Sequence, residues 1–265
     1  MFKTRLLSGI VLVVLALCLI ITGGNVLLLS TAVISLIGLF ELYRVFKIHN
    51  TPLGYVGYIA VILYYADLKL MFVPDKMMLI VGALILILGV FVIRYPHYDA
   101  TQMLAAFFGI VYVGVLVSFV YQTRMLPMGS VLVWLIFLSS WGCDTCAYCA
   151  GMLFGKHKMT PLLSPKKTIE GAVGGVVGSV LLTLLYGVIM GRFVEMETKM
   201  LAVMAVIAVF GSLISMIGDL AASAIKRNYD VKDYGKLIPG HGGILDRFDS
   251  VFFTAPIVYF LAAYL

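Results

Sequence analysis

Charge is what this chain has least of. Only 12% of its 265 residues are Asp, Glu, Lys or Arg, against 62% hydrophobic residues. No polar stretch is long enough to surround a water-soluble core, which excludes a large soluble domain. Apolar–polar alternation is missing as well. The apolar runs are continuous, so backbone groups inside a bilayer pair within helices and not around a closed barrel. Cysteine is sparse, with 4 in the chain. Cys18 stands in an apolar run while Cys143, Cys146 and Cys149 cluster, a pattern unlike a secreted disulfide framework. Neither a P-loop nor a G-x-G-x-x-G in strand context occurs, so the chain carries no common nucleotide fingerprint. The apolar run after Lys3 and Arg5 lacks a small-x-small cleavage site, and a second run follows at once. It reads as an uncleaved membrane helix, not a signal peptide.

What remains is grease in long pieces. Mean hydropathy is +1.08, and apolar runs long enough to span a bilayer recur along the chain. They fall near 6–21, 26–46, 53–72, 77–93, 101–121, 129–154, 169–190, 200–224 and 250–265. The third carries Asp67 and Lys69 inside it. The expected fold class is therefore all-α, a polytopic integral membrane protein with about nine transmembrane helices. Residues 1–128 would form an N-terminal set of about five spans, and residues 129–265 a catalytic region.

The net charge is +6 and the pI about 9.1. In a membrane protein this reflects cytoplasmic Lys/Arg bias and not nucleic-acid binding. With the N-terminus inside, only Lys69, Lys76, Arg124, Arg192 and Lys199 of the 19 basic residues fall outside. Loops 155–168 and 225–249 then share the cytoplasmic side. A site built from both, at the cytoplasmic ends of the C-terminal helices, would meet cytoplasmic metabolites. The expected location is the cell's inner, cytoplasmic membrane.

The scarce charge is concentrated. Lys226, Arg227, Lys232, Lys236 and Arg247 share Ser223 to Asp249 with Asp230, Asp233, Asp246 and Asp249. Asp144 and Asp219 lie in the sixth and eighth apolar runs, where a carboxylate costs roughly 2.5–3.5 kcal/mol at a helix centre. A lone helix-pairing group is the bland alternative for each. Ser223 and Lys226 share a face with Asp219 if that helix continues, and Asp246 and Asp249 share a helical face. Asp219, Asp246 and Asp249 make an oxygen-rich, thiolate-free set of the kind that holds Mg²⁺ beside phosphates; a salt-bridge cluster is the alternative.

Lys166 and Lys167 precede Thr168, an N-cap candidate, and Glu170 in the first turn of the seventh helix. A basic pair beside a positive helix end suits an anion, though flanking topological charge would look the same. Gly240-His241-Gly242-Gly243 could present N–H groups to a phosphate or be a plain turn. His241 could serve as phosphate donor, acid/base group or cap. Gly171, Gly174, Gly175 and Gly178 suit close helix contact, within one chain in preference to a dimer interface. Cys143, Cys146 and Cys149 suggest an iron–sulfur ligand run, but a fourth ligand is missing and the run is helical. Packing on a helix face is the better reading.

Ser223-x-x-Lys226-Arg227, Lys232-Asp233, Gly235, Pro239-x-His241-Gly242-Gly243 and Asp246-Arg247-x-Asp249 together resemble the signature of the phosphatidate cytidylyltransferases, also called CDP-diacylglycerol synthases. Asp144-Thr-Cys-Ala-Tyr148, Phe154-Gly155-Lys156 and Ser164-Pro-Lys-Lys-Thr-Ile-Glu-Gly171 resemble a second block of that family. The likeness covers roughly the C-terminal half; the N-terminal spans match in character only. The cysteines around Asp144 depart from the family's Gly, Ala or Phe.

The resemblance implies transfer of a cytidylyl group from CTP to phosphatidate, with Mg²⁺ and room for a second cation. It implies Asp219, Asp246 and Asp144 as metal ligands. Lys226, Arg227, His241, Arg247 and Asp249 would act in the catalytic step. Lys166, Lys167, Thr168, Glu170, Ser223, Lys232, Gly242 and Gly243 would bind substrate. Partners would be CTP, phosphatidate and membrane lipids, with a homodimer as a family expectation and no nucleic acid. Two alternatives stand beside this. A transporter could use Asp144 and Asp219 as an ion path, although no inverted halves occur. A CTP-dependent lipid kinase would attack the γ-phosphorus. A CDP-alcohol phosphotransferase is disfavoured, because its D-x-x-D-G-x-x-A-R motif is absent.

Overall fold

A computed structural model describes residues 2–197 and 199–264, with side chains from Ser8 onward. The Lys3 and Arg5 side chains and the helix end expected at Leu265 lie outside the described residues. In chain order the helices are α1 (Phe2–Thr22), α2 (Gly24–Val45), α3 (Pro52–Leu70), α4 (Met77–Ile93), α5 (Ala100–Gly109) and α6 (Leu116–Arg124). Then follow α7 (Gly129–Phe137), α8 (Cys143–Phe154), α9 (Ile169–Met190), α10 (Met200–Asn228) and α11 (Leu245–Tyr264). Two strands, β1 (Lys158–Thr160) and β2 (Ser164–Thr168), form an antiparallel hairpin between α8 and α9.

The fifth and sixth apolar runs are each continuous but contain a π-helical segment. Ile110–Val115 joins α5 to α6, and Leu138–Gly142 joins α7 to α8. Among the described residues, six stretches are helical, long and apolar enough to cross a membrane: Gly24–Val45, Pro52–Leu70, Ala100–Arg124, Gly129–Phe154, Ile169–Met190 and Met200–Asn228. Ser8–Thr22 and Met77–Ile93 are shorter apolar helices. The protein is a mostly helical, polytopic membrane protein.

Helix α9 shows why. Its buried positions are Gly171, Gly175, Ser179, Thr183 and Gly187, a row of small residues. Val173, Val177, Leu181, Leu185 and Val188 are exposed. A soluble helix would bury the second set. In lipid the large side chains face outward and small residues bring backbones together.

The helices group into two compact units, residues 1–121 with 231–247 and residues 122–230 with 248–265. In the first, Leu39, Leu42, Tyr43, Ile48, Leu53 and Val113 are fully buried. Tyr43 donates its hydroxyl to the Ala106 carbonyl, which satisfies the one polar atom of a ring sunk in this core. A side chain at Gly57 or Gly109 would occupy the Tyr43 ring, so both positions need glycine for space. Segment 231–247 packs with this unit despite its distance along the chain.

In the second unit, α8 lies against α9 through small faces. Gly174 meets Ala150, Gly175 meets Ala147 and Cys143, and Gly178 meets Cys146. The glycine row is filled within the chain, and Cys143 and Cys146 are its packing partners. Among the described residues no group of three or more His, Cys, Asp and Glu is arranged to hold a metal. Ser179 donates to the Leu138 carbonyl at 3.1 Å, bonding α9 to the π-helical segment.

Two helix ends differ from the sequence expectation. Helix α10 runs past residue 224 to Asn228 and carries Lys226 and Arg227 in its last turn. Helix α11 starts at Leu245, ahead of residue 250, with Asp246 in its first turn. In both cases the charges complement the helix dipole, which extends helix into sequence that hydropathy alone marks as loop.

Candidate active site

In the second unit, charge gathers around an open cavity of about 450 Å³. Asp144, Lys166, Lys167, Thr168 and Asp219 supply the polar part of its lining, and Ala147, Met152, Met159, Ala172 and Met216 the apolar part. Asp144 stands in the first turn of α8, directly after the π-helical segment Leu138–Gly142. Such segments re-aim the residues that follow them and recur at functional sites. Asp219 comes from α10 and makes an ion pair with Lys167 at 2.6 Å. The side chains are about a quarter exposed, 24% for Lys167 and 29% for Asp219, while the Lys167 Nζ itself is buried.

Asp249, on α11, is 8% exposed and lies within electrostatic reach of Asp219, Asp144 and Lys226. Its Oδ1 accepts the Ser250 N–H at 2.8 Å. Three carboxylates in one field repel one another, and Lys167 and Lys226 offset part of that repulsion. Continuity of α10 to Asn228 puts Ser223 and Lys226 on the same helix as Asp219, as the spacing anticipates. Arg227 is exposed in the last turn.

The hairpin has its own lock. Thr168 caps α9 by accepting the Gly171 N–H at 3.1 Å, the capping role read from the sequence. Glu170 faces the hairpin: it accepts the Lys156 N–H at 3.1 Å and pairs with His157 Nδ1 at 2.6 Å. It thereby ties the segment leading into β1 to the first turn of α9, while Lys166 and Lys167 of β2 line the cavity.

The first unit holds the glycine-rich turn. Gly240 and Gly242 adopt φ of +78° and +85°, conformations that favour glycine. Two of the turn's amides are engaged internally: His241 N–H donates to Ile238 O at 2.9 Å and Gly243 N–H to Asp246 Oδ2 at 3.0 Å. That same Asp246 oxygen accepts the Tyr234 N–H at 2.8 Å and the Gly235 N–H at 3.4 Å. Asp246 ties the loop together. The His241 Nδ1 lies 2.8 Å from Ser8 Oγ, and Ser8 also donates to the Pro239 carbonyl at 3.1 Å. Lys232, Lys236, His241, Gly242 and Arg247 line a second open cavity of about 530 Å³.

The structure thus gathers Asp144, Lys166, Lys167, Thr168, Asp219, Lys226 and Asp249 in one unit. Lys232, His241, Gly242, Gly243, Asp246 and Arg247 belong to the other. Sequence reading missed Glu41 of α2. It is 4% exposed, and it accepts the Ile244 N–H at 3.1 Å and the Leu245 N–H at 2.9 Å. A signal existed: a single carboxylate inside a 22-residue apolar helix is the kind of residue that singled out Asp144 and Asp219.

A helical membrane fold with acidic and basic side chains lining one cavity suits the binding of an anionic group. The sequence matches the cytidylyltransferase family across residues 3–265, and the chain belongs to that family. It is 34% identical over 266 residues to the phosphatidate cytidylyltransferase of Staphylococcus epidermidis, covering 98% of each chain. It is 35% identical over 267 residues to that of Staphylococcus aureus, again covering 98% of each. With the Staphylococcus saprophyticus protein of the same description it shares 33% over 269 residues, also 98% of each.

Proposed function

We propose that the protein transfers a cytidylyl group from CTP to phosphatidate, yielding CDP-diacylglycerol and pyrophosphate. One observation carries this most directly. The cavity of the second unit is lined both by charged side chains, Asp144, Lys166, Lys167 and Asp219, and by apolar ones, Met152, Met159 and Met216. A phosphate head on an apolar tail has that division of chemistry, and the sequence relatives are described as phosphatidate cytidylyltransferases.

In the proposed reaction an oxygen of the phosphatidate phosphate attacks the α-phosphorus of CTP. The bond to the bridging oxygen of the β-phosphate breaks, and pyrophosphate leaves. A phosphomonoester has a second pKa near about 6, so the nucleophile is already ionised and needs no strong base. Rate then comes from positioning and from offsetting negative charge. Lys166 and Lys167 of the cavity lining hold phosphate oxygens, together with Lys226 and Arg227 from the last turn of α10. Lys232, His241, Gly242 and Arg247 form the anion-facing surface of the first unit.

The acids suit a hard divalent cation such as Mg²⁺. Asp144 and Asp219 offer oxygen donors at the cavity, with Asp249 in the same field. Because no metal-holding group of three His, Cys, Asp or Glu occurs among the described residues, phosphate oxygens and water would complete the coordination. When bound, the cation would neutralise charge on the phosphates. Asp246, also expected as a ligand, gives its Oδ2 to three loop amides; in this proposal it organises the loop and stays a candidate for the cation.

The same proposal counts α1 to α4, Ala100–Arg124, Gly129–Phe154, α9, α10 and α11 as nine crossings, with the N-terminus and the charged loops cytoplasmic. The six long apolar stretches and two shorter ones support the count, and the Lys/Arg bias supports the orientation.

Purified protein given phosphatidate, Mg²⁺ and CTP labelled at the α- or γ-phosphate tests the reaction. Entry of α-label into lipid with γ-label released as pyrophosphate is the expected result. Entry of γ-label into lipid would make the protein a lipid kinase. With folded protein and several lipids, absence of both would remove the proposal and favour transport.

A further inference from the structure

We infer that Glu41 is a positioning residue for the loop between α10 and α11, acting from within helix α2. It sits 203 positions before Ile244 in the chain, yet its two oxygens divide between neighbouring amides. Oε1 accepts from Ile244 N and Oε2 from Leu245 N. These N–H groups open α11, where a helix leaves its amides without internal partners and favours a negative charge. A carboxylate on one helix thus caps another. Burial of a carboxylate in an apolar helix is unfavourable, and these bonds offset it.

Two further contacts give the arrangement its specificity. Arg44, three residues along α2, donates to the Tyr234 carbonyl at 2.6 Å. The pair therefore grips the loop at two separate places, at Tyr234 and at Ile244–Leu245. Gly235 and Gly243 press against the Glu41 carboxylate so closely that a Cβ on either would overlap it. Glycine at these two places is explained by what faces it: neither has a positive φ. Glu41 is thus the template around which the loop closes, and Asp246 also accepts the Tyr234, Gly235 and Gly243 N–H groups. The loop that results presents His241 and Arg247.

The catalytic consequence rests on the cytidylyl-transfer proposal; the structural consequence does not. The first measurement is therefore amide hydrogen exchange on full-length protein in nanodiscs. Glu41→Gln keeps the shape but turns one acceptor into a donor facing an N–H. Exchange across residues 234–247 is expected to quicken about ten-fold or more, with α9 unchanged, because a hydrogen bond to a charged group is lost. Unchanged exchange in the loop, or an equal rise throughout the protein, would overturn the role. The second measurement is a cycle read by CDP-diacylglycerol formation. Gly243→Ala is expected to lower kcat/KM about ten-fold or more, through overlap with Glu41. In a Glu41→Asp background, where the carboxylate is drawn back, the same change is expected to cost no more than about three-fold. Equal losses in both backgrounds would show that Gly243 does not report on Glu41. Wild-type protein without transferase activity would refute the reaction proposal alone, and the exchange result would still decide the role of Glu41.

Discussion

Asp219 and Asp246 carry the same functional group but stand in different surroundings, and their variants should behave differently. Asp219 faces a cavity and pairs with Lys167. Asp219→Asn should lower CDP-diacylglycerol formation by about a hundred-fold or more, the scale for removing one organised electrostatic group. Its unfolding temperature should fall less than that of Asp246→Asn, because Asn keeps one oxygen acceptor facing Lys167. Asp246 accepts three backbone amides and is 7% exposed. Asp246→Asn should lower stability by about 1–3 kcal/mol, so that activity and unfolding temperature fall together. Kinetics and thermal unfolding of both variants check this. Loss of activity in Asp246→Asn at unchanged stability would favour metal binding over loop organisation as its main role. Thr168 belongs at this scale too: Thr168→Ala removes the Gly171 cap and should cost about 0.5–2 kcal/mol in thermal unfolding.

Among elements, the α8–α9 contact is the most demanding. At Gly175 an added Cβ would meet Ala147 Cβ, Cys143 Sγ and the Cys143 carbonyl within 2.9–3.1 Å. The carbonyl belongs to backbone and cannot step aside. Gly175→Val should therefore destabilise by about 1–3 kcal/mol. Gly82 and Gly89 on α4 have no neighbour within 4 Å of the added atom. Gly82→Ala should be neutral or stabilising by up to about 1 kcal/mol, from lower chain entropy when unfolded. Thermal unfolding of the two variants in one detergent gives the comparison, and a Gly175→Val protein as stable as wild type would contradict the packing. Much of this was legible in the sequence, since small residues at four-residue spacing in an apolar run already indicate close approach. What they approach was not legible, because the complementary small face on α8 is built partly from cysteines that resemble metal ligands.

At the scale of the whole molecule, topology is the open quantity with a simple readout. Leu162, at the hairpin tip, is 94% exposed. In a protein whose native cysteines are replaced, Leu162→Cys should react with a membrane-impermeant maleimide in inside-out vesicles and stay unreacted in right-side-out ones. Labelling only in right-side-out vesicles would reverse the proposed orientation, and with it access to cytoplasmic CTP.

The amino-acid sequence by itself determined the class of fold, the neighbourhood of each helix and the residues able to carry charge chemistry. Those properties are local: hydropathy sets which runs enter lipid, and a carboxylate in an apolar run is conspicuous without knowledge of its partners. Thr168 was readable as a cap for the same reason, because cap and amide lie three residues apart. Only the tertiary structure decided that segment 231–247 packs with the N-terminal helices and that Glu41 receives its amides. It also decided that Asp246 organises backbone and that Glu170 pairs with His157. Backbone N–H groups are the same at every residue but proline. No side-chain pattern announces which carboxylate they will meet, so that pairing is settled only when the chain has folded.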